Sequence, residues 1–327
     1  MTQQLLPTEL ANQVIAAVRQ SASDLHLEPQ PKGYLLRARC LGELKTLMTV
    51  PLEQGQQWLA ALKNAAGVDI TQRQQAQDGR FQLNQQGCQV DCRFNTLPVL
   101  WGEKAVLRLF LTQQEAMTLS ALGLLPNQLE QVESALQSKQ GLILVTGPTG
   151  SGKTATLYSM LASLERERLN ICTVEDPVEV PLVGMNQTAV NTAQSRSFAH
   201  CLRALLRQDP DVIMVGEIRD VETAEVTLQA AQTGHLVLAT LHASHSLAAL
   251  IRLMQLKCEH SQIASALLLV VNQRLIRVGE RRNGVFELVE NTPELQQALL
   301  MNPNTELFWT RIQEELSFTT CSQEIFP

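Results

Sequence analysis

Residues 141–154 read GLILVTGPTGSGKT, and this stretch decides the fold. Gly147, Pro148, Thr149, Gly150, Ser151, Gly152, Lys153 and Thr154 match the pattern G-x-x-x-x-G-K-[ST] of a phosphate-binding loop. Glycines let such a loop wrap until its backbone N–H groups point inward at phosphate oxygens. Lys153 brings a point charge to the β- and γ-phosphates, and the Thr154 hydroxyl is placed to ligate Mg²⁺. The flanks agree with this reading. Leu142 to Val145 is a short apolar run suited to a buried parallel strand. Ala155 to Leu164 reads as the helix that follows, with Leu157, Met160, Leu161 and Leu164 on one face. A loop that only turns the chain would need neither the lysine nor this strand–helix setting.

Working outward, 327 residues suggest two domains, and a hydrophobic content of 45% is enough for packed cores. No run of 18 apolar residues is present, so no helix is expected to span a membrane. The start, MTQQLLPTEL, has neither the basic nor the apolar region of a signal peptide, so a cytoplasmic protein is expected. Seven scattered cysteines fit a reduced compartment. Only Cys88 and Cys92 are close in sequence, and no second pair follows at zinc spacing, so no zinc is expected. The net charge of −6, without a basic stripe, argues against stable nucleic-acid binding.

Along the chain, the first 20 residues read as an amphipathic helix through Leu10, Val14, Ile15 and Val18. Tyr34 to Leu44 alternates and turns near Gly42 as a hairpin would, and Leu52 to Ala66 is helical up to Gly67. Phe81 to Leu83 and Val90 to Phe94 read as strands around a turn at Gln86-Gly87, and Val106 to Phe110 as a closing strand. The expected organisation is a small α/β domain over 1–111, a linker over 112–125 and a P-loop domain over 126–327 with a short helical C-terminal region. Residues 317–327 read as a loose tail. In the P-loop domain, Ile171–Val174, Val212–Val215 and Leu236–Thr240 are further apolar strands alternating with helices. That alternation predicts a parallel sheet with ligands at its carboxyl ends.

Three more stretches carry chemistry. ICTVEDPVEV, from Ile171, delivers Glu175 and Asp176 at the end of a strand. A carboxylate there can orient the attacking water or hold Mg²⁺ through water, although an acidic turn is also a common solvated feature. DPDVIMVGE, Asp209 to Glu217, resembles a Walker B strand that ends in Gly-Glu, making Glu217 the acidic candidate; it can equally form a loop ion pair with Arg219. TGHLVLATLH, Thr233 to His242, sets His235 before a strand and His242 after it. Both are candidates for donating a hydrogen bond to phosphate, against the plainer reading of satisfied core histidines. His245 reads as a surface residue. Arg203 and Arg207 lie four apart on an expected helix, where they either pair local acids or reach a neighbouring subunit's nucleotide.

Taken together, GPTGSGKT, TVEDPVE, LRALLRQDPDVIMVGEIRD, ETAE and TGHLVLATLH resemble the secretion-superfamily ATPases, and more narrowly the assembly ATPases of type II secretion and type IV pili. ASDLHLEP, AGVDITQRQQAQDGR and VDCRFNTLPVLWGEKAVLRL resemble the same family's domain before the motor, so the likeness runs over roughly residues 20–290. The resemblance implies a PAS-like α/β first domain and a RecA-like motor that hydrolyses ATP with Mg²⁺. It implies a homohexamer docked on a platform protein at the cytoplasmic face of a bacterial inner membrane. It matches two first-domain arginines that reach the nucleotide to Arg93 and Arg108, and a motor-domain pair to Arg203 and Arg207. The beginning of the chain matches the family's second domain, so the expectation is that the N-terminal adaptor is missing. Gln273-Arg274-Leu275-Ile276-Arg277 is followed directly by VGERRNGVFELVE, so the family's tetracysteine module is expected to be deleted. Sequence leaves open how Glu175 and Glu217 divide water activation and metal support. A nucleic-acid-translocating motor and a non-hydrolysing ring component are the rival readings.

Overall fold

The computed structural model describes residues 6–20, 22–111, 117–190, 197–278 and 281–301. The chain forms two units, Met1–Gln114 and Glu115–Pro327.

In the first unit, α1 (Thr8–Arg19) buries Leu10, Val14, Ile15 and Val18, the face its spacing marks. β1 (Ala22–Gln30), β2 (Gly33–Cys40) and β3 (Glu43–Pro51) precede α2 (Leu52–Ala65), and β4 (Gln77–Gln85), β5 (Cys88–Val99) and β6 (Gly102–Leu111) complete an antiparallel sheet. Its order is β3-β2-β1-β6-β5-β4, with hairpin turns at Leu41-Gly42 and Gln86-Gly87. Both helices bury their apolar faces in one core with the sheet.

β1 lies inside the sheet even though Asp24, His26 and Glu28 alternate with Leu25 and Leu27. The polar face is buried because neighbouring strands supply its counter-charges. Arg108 meets Asp24 at 3.0 Å, and Arg37 and Lys104 meet Glu28 at 2.5 and 2.8 Å. Burial, then the charge of Lys104, holds His26 below its ordinary pKa. A second buried ion pair joins Lys63 of α2 to Glu103 of β6 at 2.6 Å, and Lys63 also donates to the Gln72 carbonyl.

The second unit opens with a 3-10 turn (Leu119–Leu122) and α3 (Pro126–Leu136). Leu119 and Leu122 are buried in its core, so the later part of the expected linker is structural packing; residues 112–116 lie outside the described ones. β7 (Gly141–Thr146), α4 (Lys153–Ser163), β8 (Ile171–Glu175), β9 (Asn186–Ala189), α5 (Phe198–Leu205) and β10 (Val212–Val215) follow. Then come α6 (Val221–Gln232), β11 (Leu236–Leu241), α7 (Ser246–Gln255), α8 (His260–Ala266), β12 (Leu267–Val278), β13 (Arg281–Glu290) and α9 (Pro293–Leu300). The expected tail lies outside the described residues.

The sheet order is β13-β12-β7-β11-β10-β8-β9, parallel except for β13. Alternation along β7 explains the layers. Leu142 and Leu144 face a core shared with α5 to α9, whereas Ile143 and Val145 face a core shared with α3 and α4. A strand covered on both faces reads as the continuous apolar run seen in the sequence. One border, β9, has four residues. At the other, the Gln128 amide donates to the Phe286 carbonyl of β13, and the Leu122 carbonyl and Gly123 close on Gly284.

Candidate functional site

Four adjacent strands bring the four motifs to one edge. β7, β11, β10 and β8 neighbour one another, and the phosphate-loop residues, His242, Glu217 and Glu175 each lie at or just past a carboxyl end. Register keeps them level: Leu241 pairs with Thr146, Ala239 with Val215, and Val215 with Val174. Neighbouring strands are about 4.8 Å apart, so the motifs converge without any long loop.

The loop itself depends on two glycines. A Cβ on Gly147 would lie 2.3 Å from the Gln273 carbonyl oxygen, and Gly147 has φ 141°. Gly152 is the N-cap of α4 at φ 92°, which starts the helix at Lys153. The helix therefore points its amino end, with its unpaired N–H groups, at the hollow of the loop. Lys153 Nζ is held by the Gly147 and Pro148 carbonyls at 2.9 and 3.0 Å. Partial burial pulls its pKa down, and the charge of Glu217 opposes that. Ser151 Oγ is buried without a partner, and Thr154 is exposed on the first turn. Oriented N–H groups, an ammonium resting on carbonyls and a free hydroxyl are what a polyphosphate would fit.

The two acidic candidates differ sharply. Glu175 is 3% exposed and accepts from Tyr158 Oη, from Thr173 Oγ1 at 2.6 Å and from Gln187 Nε2 at 3.1 Å. Its acceptor capacity is largely occupied, and the bond to Tyr158 of α4 ties it to the helix behind the phosphate loop. Tyr158 is in turn held well above its ordinary pKa by burial and by Glu175. Glu217 is 18% exposed and faces Arg219 at 2.7 Å and the imidazole of His242, whose Nε2 lies at 3.1 Å. Arg219 extends toward Asp176 at 3.7 Å. The Ile218 N–H donates to the Thr240 carbonyl and Thr240 Oγ1 to the Gly216 carbonyl, which fixes Glu217 beside the end of β11.

Several expected residues stand elsewhere. His235 precedes β11 and contacts the Ala230 carbonyl at 3.0 Å through Nδ1, at the amino edge of the sheet. Six residues of extended strand, roughly 20 Å, separate it from the phosphate loop, so only His242 of the two histidines belongs to the edge. A cleft lined by Lys139, Arg168, Asp211 and Gly234 lies at that same amino edge, away from the motifs. Helix α5 ends at Leu205, so Arg203 and Arg207 do not share a helix face. Arg203 pairs with Glu222 at 2.5 Å, and Arg207 bonds back to the Arg203 carbonyl. His245 is the N-cap of α7, its Nδ1 accepting from the Ala248 N–H at 3.2 Å, rather than a plain surface residue. In the first unit, Arg93 and Arg108 face each other across β5 and β6; Arg93 stacks on Phe110 at 4.7 Å and Arg108 meets Asp24. The sequence reading missed Tyr158, and its position on the apolar face of the helix after the loop gave no sign of a polar duty.

The model of the type II/IV secretion system protein family matches residues 2–305. The chain is similar to the "protein transport protein HofB homolog" of Escherichia coli K12, 49% identical over 262 residues, which cover 80% of this chain and 57% of that protein. It is 40% identical over 336 residues to the "type IV pilus assembly ATPase PilB" of Pseudomonas aeruginosa, covering 89% of this chain and 59% of that one. The chain thus spans a little over half the length of these relatives. Among solved structures, the "pilus retraction motor PilT and bound ADP" superposes with a TM-score of 0.71 at 28% identity, covering 96% of this chain and 91% of that one. The fold is RecA-like α/β, as expected.

Proposed function

This chain belongs to the type II/IV secretion system protein family, and from that premise we propose that it is a Mg²⁺-dependent ATPase. The motor would drive assembly of a type IV pilus or a type II secretion pseudopilus. The observation that carries the reading is the single sheet edge on which Lys153, Thr154, Glu175, Glu217 and His242 stand together.

The division of labour follows from the surroundings. The loop amides and Lys153 bind the β- and γ-phosphates of ATP, and Thr154 is the hydroxyl that ligates Mg²⁺. Mg²⁺, when bound, neutralises charge on the transferring phosphoryl group. Glu217, partly exposed and faced by Arg219 and His242, orients the attacking water and accepts its proton. Glu175, buried under three donors, sets the position of α4 and so of the loop. His242 senses the γ-phosphate through Glu217. Arg93 and Arg108 supply positive charge to the phosphates from the first unit, and Arg203 and Arg207 do so toward a neighbouring copy. The working form is a homohexamer on an inner-membrane platform protein, at the cytoplasmic face.

Phosphate release from ATP by the purified chain tests the reading. Activity that needs Mg²⁺ and vanishes in Lys153→Ala supports it. Activity that survives Lys153→Ala would overturn it, and stimulation by single-stranded DNA would point to a nucleic-acid motor instead. Co-isolation with an inner-membrane polytopic protein checks the machine it serves.

A further inference from the structure

Three successive residues of β12 reach two loops of the candidate site. Parallel pairing sets Asn272 opposite Thr146, the last residue of β7. Asn272 is fully buried; its Nδ2 donates to Thr146 Oγ1 at 2.8 Å and to the Ala243 carbonyl at 3.4 Å. One amide thus joins the strand that enters the phosphate loop to the residue after His242. Gln273, 2% exposed, points the opposite way, as neighbours on a strand must. Its Nε2 donates to the Ser151 carbonyl at 2.5 Å, inside the phosphate loop. Its own carbonyl oxygen fills the space in which a Gly147 side chain would sit. Arg274 then donates to the Ser244 carbonyl at 3.0 Å.

Burying these amides is costly unless the bonds they make are needed. Both amides reach the loops through their N–H donors. An apolar pair would fill the same strand positions without that penalty. The polar choice is explained if the donors act on the loops they touch.

We infer that Asn272 and Gln273 are positioning residues: Gln273 sets the phosphate loop for nucleotide binding, and Asn272 locks that loop to the segment carrying His242 so that binding and hydrolysis stay in step. The inference rests on the ATPase reading above. The two amides have separable duties. Loss of the Gln273 donor frees the Ser151 peptide and weakens phosphate binding. Loss of the Asn272 donor leaves the loop able to bind but lets His242 drift from Glu217.

The test measures equilibrium binding of a fluorescent ADP analogue with Mg²⁺ alongside steady-state phosphate release, on the full chain. Gln273→Met, close in length, should raise the Kd for nucleotide about tenfold. Asn272→Ala should keep Kd within twofold and lower kcat at least fivefold. Gln273→Leu, a second neutral side chain that cannot donate to the Ser151 carbonyl, should raise Kd to the same extent, with the wild-type circular dichroism spectrum in both variants showing that the fold is kept. Wild-type Kd in both Gln273 variants, or equal losses of Kd and kcat in Asn272→Ala, would overturn the assignment. Failure of the underlying reading looks different: wild-type chain would then bind the nucleotide no better than Lys153→Ala.

Discussion

His242 Nε2 lies 3.1 Å from Glu217 Oε1, while Arg219 holds the other carboxylate oxygen at 2.7 Å. The imidazole thus stands against an acid that has a second, permanently charged partner. Glu217→Gln keeps the shape and removes the charge, so ATP should still bind while kcat falls by about 10²–10⁴, the span of a lost general base. His242→Ala should cost roughly tenfold in kcat with KM little changed, since its partner is the acid and not the loop. Phosphate release together with nucleotide binding measures both. Wild-type turnover in Glu217→Gln would remove the water-activating role from that residue.

Tyr158→Phe deletes one of the three donors to a buried carboxylate. A buried acceptor stripped of a donor costs about 1–3 kcal/mol. Urea unfolding should show that loss, and Glu175→Gln should lower kcat at least tenfold less than Glu217→Gln does. If the order of those two effects is reversed, Glu175 and not Glu217 activates the water.

The phosphate loop and the acid-ended strands of the motor were legible because each element makes its own local pattern; the order of those strands in the sheet is a long-range property and was not. A glycine loop and an apolar run need no distant partner to be recognised. β1 was not legible as a strand, because Asp24, His26 and Glu28 look like a solvated turn until Arg37, Lys104 and Arg108 arrive from other strands. His235 and His242 look alike in sequence, and only strand direction separates them. The reach of Arg203 was hidden in the same way, since Glu222 lies 19 positions further on.

Glu287 is buried on β13, and burial raises its carboxyl above the ordinary 4.5, against the bonds from Ser246 and the charge of Arg274. A raised acid favours the folded state most when protonated. That contribution is complete below 4.5 and is lost as pH climbs through the raised value. Glu287→Gln, neutral throughout, should therefore raise Tm at pH 7–8 and leave it nearly unchanged at pH 4. Thermal unfolding across that range checks the sign, and an equal shift at both ends would contradict it.

Lys63 and Glu103 form an ion pair that is almost fully enclosed in the first unit. Removing one partner strands a buried charge, at about 3–5 kcal/mol. Lys63→Met should unfold the first unit at clearly lower urea, and Lys63→Met with Glu103→Leu should recover most of the loss. Urea unfolding read by the reactivity of buried Cys40 and Cys92, both in that unit, follows it. No recovery in the double variant would show that the pair is kept for more than mutual neutralisation.

Arg93 and Arg108 have local partners, Phe110 and Asp24, yet are matched here to nucleotide contacts. If they serve the phosphates, Arg93→Ala and Arg108→Ala should each lower kcat more than tenfold. Asp24→Asn, which breaks the same local pair as Arg108→Ala, should cost stability without that loss of turnover. Comparing the three by phosphate release and urea unfolding separates the roles. Equal turnover in Arg108→Ala and Asp24→Asn would leave Arg108 a local support.

The borders of the seven-stranded sheet limit how that sheet can be extended by another chain. An open border offers unpaired peptide groups to any extended segment, and growth by such pairing has no natural end. Here one border is four residues long and the other is occupied by the Gln128 amide and the turn at Gly123. Polymerisation through backbone ladders is thereby discouraged on both sides. A second copy that meets this sheet at its ends must therefore be recognised by side-chain shape and charge rather than by a shared backbone ladder.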